Sequence, residues 1–192
     1  MPGVSSSLKI VDSGSTSTPS QTGSVMEVIE LTDFDRALAS KLAEEMGALN
    51  NSIESGGGSL AGFIGEMAAQ KIYGGEIQHT YQYDLVLPDQ TTADVKTKRT
   101  SVAPRDYYEC SVSNFNPNQK CDIYIFTRVS YDNTRCWVLG HYNKKKYIED
   151  ARFLKKGQID GDNNFTVRAD CYNLPIHDLE RCPDVHKLYV KE

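Results

Sequence analysis

The stretch "YDLVLPDQTTADVKTKR", Tyr83 to Arg99, places an aspartate in one β-like run and, past a turn, an Asp-x-Lys triplet in the next. Alternation of polar and apolar residues on both sides of Pro-Asp-Gln-Thr-Thr predicts two strands joined as a hairpin. With a turn over Pro88 to Thr92, Leu87 faces Ala93, Asp84 stands opposite Lys96, and Asp94 lies on the adjacent diagonal. Any register whose paired numbers sum to an even value puts Asp84, Asp94 and Lys96 on one face and leaves Leu85, Ala93 and Val95 on the other.

Two carboxylates and an ammonium on one face call for an explanation, because ordinary half-buried strands carry Thr or Val there. Repelling carboxylates are reconciled by a divalent cation, and an all-oxygen ligand set selects Mg²⁺ or Mn²⁺ over zinc. Such a site suits phosphodiester hydrolysis, with Lys96 orienting water or stabilising developing negative charge. The plainer reading is a cross-strand Asp84/Lys96 pair on an exposed hairpin, worth only about 0.2–1 kcal/mol.

Working outward, Thr32-x-x-Asp35 signals a helix start, followed by Phe34, Leu38, Leu42, Met46 and Leu49 as an apolar face ending near Asn50. "ESGGGS" (54–59) breaks it, and "LAGFIGEMAAQKIYGG" predicts a second helix with Leu60, Phe63, Ile64, Met67, Ala68 and Ile72 inward, stopped by Gly74 and Gly75. Small residues Gly65 and Ala69 allow close approach of its backbone. Beyond the hairpin, "YYECSVS" reads as a short or irregular edge strand, "CDIYIFTRV" as a covered central strand and "CWVLGHY" as its neighbour. "NKKKYIEDARFLKK" reads as a helix with Tyr147, Ala151 and Leu154 inward. Helices first, then a mostly antiparallel or mixed sheet with a later helix, predicts an α/β or α+β fold.

Composition narrows the classes. The 192 residues, 39% hydrophobic and 24% charged, predict one packed domain over 26–192, after a Ser/Thr/Gly/Pro-rich disordered tail over 1–25. No apolar run approaches a membrane span and no signal peptide is read, so a cytoplasmic protein is expected. Five scattered cysteines fit free thiols. Net charge −5 argues against a general nucleic-acid coat but leaves room for a local basic cleft. Lys98, Arg99, Arg105 and Lys120 are the candidates for phosphate contacts. No G-x-x-x-x-G-K-[ST] loop occurs, so no nucleotide cofactor is expected. Cys171, His177, Cys182 and His186 lack the tight spacing of zinc knuckles.

Taken with Glu66 on the preceding helix, Asp84 and Asp94-Val95-Lys96 resemble the PD-(D/E)XK nuclease superfamily, whose signature is an Asp, a variable gap, then Asp or Glu-x-Lys on the next strand. The resemblance covers roughly residues 34 to 190 and is to small phage and bacterial members. Tyr83 stands where the family commonly has proline, and Asp94 where glutamate is commoner. The resemblance implies a restriction-endonuclease-like core, a central mixed sheet flanked by helices. It assigns metal ligation to Asp84, Asp94 and the Val95 carbonyl, a direct or water-mediated contact to Glu66, and assistance of the attacking water to Lys96. Gln119, just before the central strand, falls where related folds place a polar helper. The implied activity is Mg²⁺-dependent DNA endonuclease, Mn²⁺ substituting, in a bacterial or phage-infected cell; cutting both strands would favour a homodimer. An RNA endonuclease on the same core and a catalytically silent nucleic-acid-binding domain are the alternatives.

Overall fold

A computed structural model describes residues 26–78, 80, 82–114, 119–160 and 165–183, apart from 47–56. The expected tail over 1–25, the end of the first helix near Asn50, and His186 lie outside the described residues.

The chain is α+β. Six strands form a mixed sheet in the order β1-β7-β6-β4-β3-β2, with β1 (Glu27–Glu30), β2 (Glu76–Ile77), β3 (Leu85–Val86), β4 (Thr92–Thr100), β6 (Ile123–Ser130) and β7 (Arg135–Asn143). β4 and β6 run parallel over eight paired residues; every other neighbouring pair in this sheet is antiparallel. Helices α1 (Asp33–Met46) and α2 (Gly57–Tyr73) pack together, and α2 lies across β4, β6 and β7. A three-stranded sheet of β5 (Glu109–Ser113), β11 (Cys171–Pro175) and β8 (Arg152–Leu154), with α3 (Lys144–Asp150), contributes to the second core. A small ladder pairs β9 (Ile159–Asp160) with β10 (Phe165–Thr166).

Two cores follow from the covered strands. Along β6 and β7, Ile125, Val129, Cys136 and Val138 point into the helix-side core, while Tyr124, Phe126, Trp137 and Leu139 point into the other. A strand buried on both faces reads as a near-continuous apolar run, which is why "CDIYIFTRV" stood out. Tyr147 of α3 is fully buried in the second core, and its hydroxyl donates toward the Cys110 and Tyr172 carbonyls at 2.8 and 2.9 Å, joining α3 to β5 and β11.

Three local expectations are corrected. The hairpin loop is three residues, Pro88 to Gln90, not five: Leu87 N donates to Thr91 O, Asp89 Oδ1 accepts from Thr91 N, and Gln90 takes φ 70°. That is a turn closed by one left-handed residue. Leu85 therefore pairs with Ala93, and Asp84, in a bend just before β3, donates its N–H to Ala93 O at 2.9 Å rather than standing opposite Lys96. Asp94 and Lys96 share one face of β4, while Asp84 meets that strand through its side chain, which accepts from the Val95 N–H.

The helix expected over "NKKKYIEDARFLKK" stops at Asp150, because Ala151 turns to extended backbone (ψ 145°) and 152–154 become β8, paired with β11. Leu154 is inward as expected, but from a strand. α1 also turns differently. Phe34 is 66% exposed and Leu38 lies at the surface, while Asp35 and Ala39 are buried. Asp35 Oδ2 accepts from Thr32 N and Oγ1, and its Oδ1 takes the Lys71 ammonium at 2.7 Å, so the capping carboxylate faces α2. β1, pairing with β7 at the sheet edge, was not foreseen, and α2 starts within the glycine run at Gly57.

Candidate active site

The site lies where β3 ends and β4 continues. Thr92, at the start of β4, is pinned to the start of β6: Asp122 Oδ2 accepts from Thr92 N and Oγ1 at 2.8 and 2.6 Å, and Asp122 N donates to Thr92 O at 2.9 Å. Two residues on, Asp94 is 3% exposed on the second-core face. Asp84, just before β3, sends Oδ2 to the Val95 N–H at 2.7 Å. In a strand the N–H and C=O of one residue point to the same side, so the Val95 carbonyl faces the edge where the Asp84 carboxylate sits.

Lys96 Nζ lies 2.5 Å from Asp94 Oδ2. The angle of this ion pair falls short of a hydrogen bond, so Asp94 Oδ2, buried, has charge contact but no hydrogen-bond partner. Lys96 also reaches Gln119 Oε1 at 3.5 Å and lies 5.7 Å from the centre of the Tyr124 ring.

Glu66 enters from α2, which can approach because Gly65 has no side chain. A Cβ at Gly65 would sit 2.0 Å from Thr97 Oγ1 and 2.6 Å from Thr127 Oγ1, and those two hydroxyls are hydrogen-bonded at 2.9 Å. Burial, then the Asp94 charge, pushes the Glu66 carboxyl up to about 7. Burial, then Asp94 and Glu66 in turn, drives Asp84 well above the usual carboxylate range, against the Val95 N–H that favours its anion. Glu66 and Asp84 thus share one partly buried region with Asp94, and both resist ionising there.

Gly65→Ala is expected to destabilise the protein. Alanine gains up to about 1 kcal/mol in helix propensity, but overpacking a tight contact costs about 1–3 kcal/mol. With two hydrogen-bonded threonine oxygens in the way, that of Thr127 buried, the overpacking is at the high end, lowering Tm by roughly 2–8 °C in a melting experiment. An unchanged or raised Tm would show that α2 does not rest on the sheet at this point.

Do these residues fit a divalent metal? Among the described residues no three His, Cys, Asp or Glu side chains converge closely enough to hold an ion between them. The donor chemistry nevertheless fits: two carboxylates and a carbonyl at one strand edge, all oxygen, with a buried Asp94 oxygen lacking a hydrogen bond. Lys96 is the charge that meets Asp94 in this state.

The remaining candidates divide. Gln119 is beside Lys96, and Lys120 is exposed next to it, its N–H donating to Gln82 Oε1 at 2.9 Å. Lys98 shares the face of Lys96. Arg99 is instead held at the β6–β7 turn by Tyr131 O and Asn133 Oδ1, about 17 Å along β4 from Asp94. Arg105, in the β4–β5 loop, donates to Tyr107 Oη. The expected clustering of all four cations around the carboxylates therefore does not hold for Arg99. Cys171 lies in β11 while Cys182 packs on the helix-side core and donates to Val138 O, so the two thiols of the zinc alternative are not brought together.

Sequence reasoning missed Asp122 and Arg128. Arg128 is 7% exposed in the middle of β6. Its signal was available: one charge inside a run otherwise read as covered on both faces.

No model of a known protein family matches the chain, and no curated protein matches it significantly. No helix among the described residues is long and apolar enough to cross a membrane.

Proposed function

We propose that the chain is a divalent-metal-dependent endonuclease with a restriction-endonuclease-like core that hydrolyses DNA phosphodiester bonds. The observation that carries the reading is Asp94, buried without a hydrogen bond at Oδ2, set beside Asp84, Glu66 and Lys96. A fold has no structural use for two partly buried carboxyls, Glu66 and Asp84, whose pKa values are raised by burial and by the charge of Asp94 beside them; perturbed groups of this kind cluster at functional sites.

Asp84, Asp94 and the Val95 carbonyl would hold Mg²⁺ or Mn²⁺, with Glu66 contacting the ion or its water. When bound, the metal polarises a phosphate oxygen and lowers the pKa of a water. Lys96, released from Asp94, orients the attacking water and meets the charge developing on phosphorus-bound oxygen. Gln119 positions the Lys96 ammonium. Glu66, titrating near neutrality, takes up or returns a proton at the water. Lys98 and Lys120 contact flanking phosphates.

Supercoiled plasmid and RNA incubated with the protein in EDTA, Mg²⁺ or Mn²⁺ test this. Nicking of plasmid only with metal is the expected result. Preference for RNA would move the same chemistry to a ribonuclease. Retention of DNA without cleavage in either metal would replace the proposal with a silent binding domain.

A further inference from the structure

Four residues past Asp94 on the same face of β4, Lys98 stands in direct register with Arg128 of the parallel strand β6. Like charges opposite one another on neighbouring strands repel, and this pair sits at a cavity of about 30 Å³ lined also by Lys96, Ser111 and Phe126. The Arg128 guanidinium donates to Glu109 O at 3.0 Å and lies over the Tyr108 ring, 5.2 Å from its centre. Neither contact supplies an anion. Glu109, which also lines the cavity, has its carboxylate engaged by Arg152 at 2.7 Å, and Arg152 is shared with Asp160. Among the described residues no carboxylate is within ion-pairing distance of Lys98 or Arg128.

Arg128, 7% exposed, is a charge removed from water without an anionic partner, which is costly, and the cation of the exposed Lys98 opposite adds to that cost. Desolvation, then Arg128, lowers the pKa of Lys98 against the opposing charge of Glu109, and desolvation lowers that of Arg128. A guanidinium fork beside an ammonium, with a serine at the rim, matches the several oxygens of a tetrahedral oxyanion better than a single carboxylate.

We propose that Lys98 and Arg128 form an oxyanion pocket for a phosphate group, about 13 Å along β4 from Asp94. That this phosphate belongs to the nucleic acid being cut, beyond the scissile one, rests on the nuclease reading; the pocket itself does not. Lys96 then spans two sites, its ammonium on the carboxylates and its stem on the pocket wall. The bound phosphate fixes the register of the strand relative to Asp94. Its source is either an internal phosphodiester or a phosphate at a chain end.

The test is made in EDTA, so that it does not depend on cleavage. Inorganic phosphate at about ten times its Kd is expected to raise Tm by roughly 3–6 °C beyond sodium chloride of equal ionic strength. Lys98→Ala, at an exposed position, should weaken phosphate at least roughly tenfold, as should Arg128→Gln if it folds. A response no larger than that of chloride, or one unchanged in Lys98→Ala, overturns the pocket. Oligonucleotides with and without a terminal phosphate then separate the sources: tighter binding of the phosphorylated one assigns a chain end, and equal binding displaced by inorganic phosphate assigns an internal diester. A phosphate response in a protein that cuts nothing overturns the nuclease reading alone. Metal-dependent cleavage with no phosphate response overturns the pocket alone.

Discussion

Asp94→Asn is expected to reduce metal-dependent cleavage by at least roughly a thousandfold while leaving the protein as stable as before, or more so. The two halves of this expectation have one cause. Asp94 raises the pKa of both Asp84 and Glu66, so its negative charge works against two neighbours in the folded state. Asparagine keeps the shape and removes that repulsion. The lost partner of Lys96 matters less, because the Lys96 side chain is about a quarter exposed and already reaches Gln119. Were the Asp94–Lys96 pair there to hold the fold, removing one partner of a buried pair would cost about 3–5 kcal/mol. Melting curves of wild type and Asp94→Asn at pH 8 in EDTA, beside plasmid cleavage in Mn²⁺, decide it. A large fall in Tm would assign Asp94 to structure.

Metal-free protein should lose stability as pH rises from about 4.5 to about 7, and Mn²⁺ should restore it. Glu66 and Asp84 keep protons in the folded state that the unfolded chain releases above about pH 4. The folded state therefore binds more protons over that interval, and stability falls with pH until the folded groups have titrated. For Glu66 the interval closes at about 7; for Asp84 the direction is the same. Together the effect is on the order of a few kcal/mol, or roughly 5–10 °C in Tm. Asp84→Asn, whose side-chain oxygen still accepts the Val95 N–H, isolates the effect by flattening the profile and raising Tm at pH 8. A cation that binds the ionised carboxylates should raise Tm at pH 8 and do little at pH 5. A wild-type profile no steeper than that of Asp84→Asn would sink the account.

What was legible in the sequence had a short period and a local cause. The near-continuous apolar run in "CDIYIFTRV" marks a strand covered on both faces, and Ile64, Met67, Ala68 and Ile72 mark the buried stripe of α2. Alternation along β4 puts Asp94 and Lys96 on one face, whereas the parity expected of Asp84 stops at the bend before β3. The turn length was hidden because its left-handed position is filled by Gln90, not by glycine or asparagine. β8 was hidden because its partner β11 comes some twenty residues later, and a helical pattern continued through it. In α1, Phe34 looked like core and Asp35 like solvent; the Lys71 partner that draws Asp35 inward lies on another helix. Arg128 was passed over because its meaning depends on Lys98 opposite, a pairing that only the parallel ladder creates.

The place of β11 has a consequence for how the chain comes together. It is the middle strand of the small sheet, yet it follows both neighbours in sequence: β5 and β8 pair with it and not with each other. Helices α1 and α2 and the six-stranded sheet are complete by Asn143, but no rung of the small sheet can close until residues 171–175 arrive. These are long-range contacts that form late and slowly. Until then Tyr147 lacks one of its two carbonyl acceptors, and Glu109 and Cys110, which wall the Lys98–Arg128 cavity, have no strand beside them. A growing or truncated chain that stops short of residue 175 would carry Asp84, Asp94 and Lys96 in place while the β5 wall of the Lys98–Arg128 cavity still lacked its strand partner.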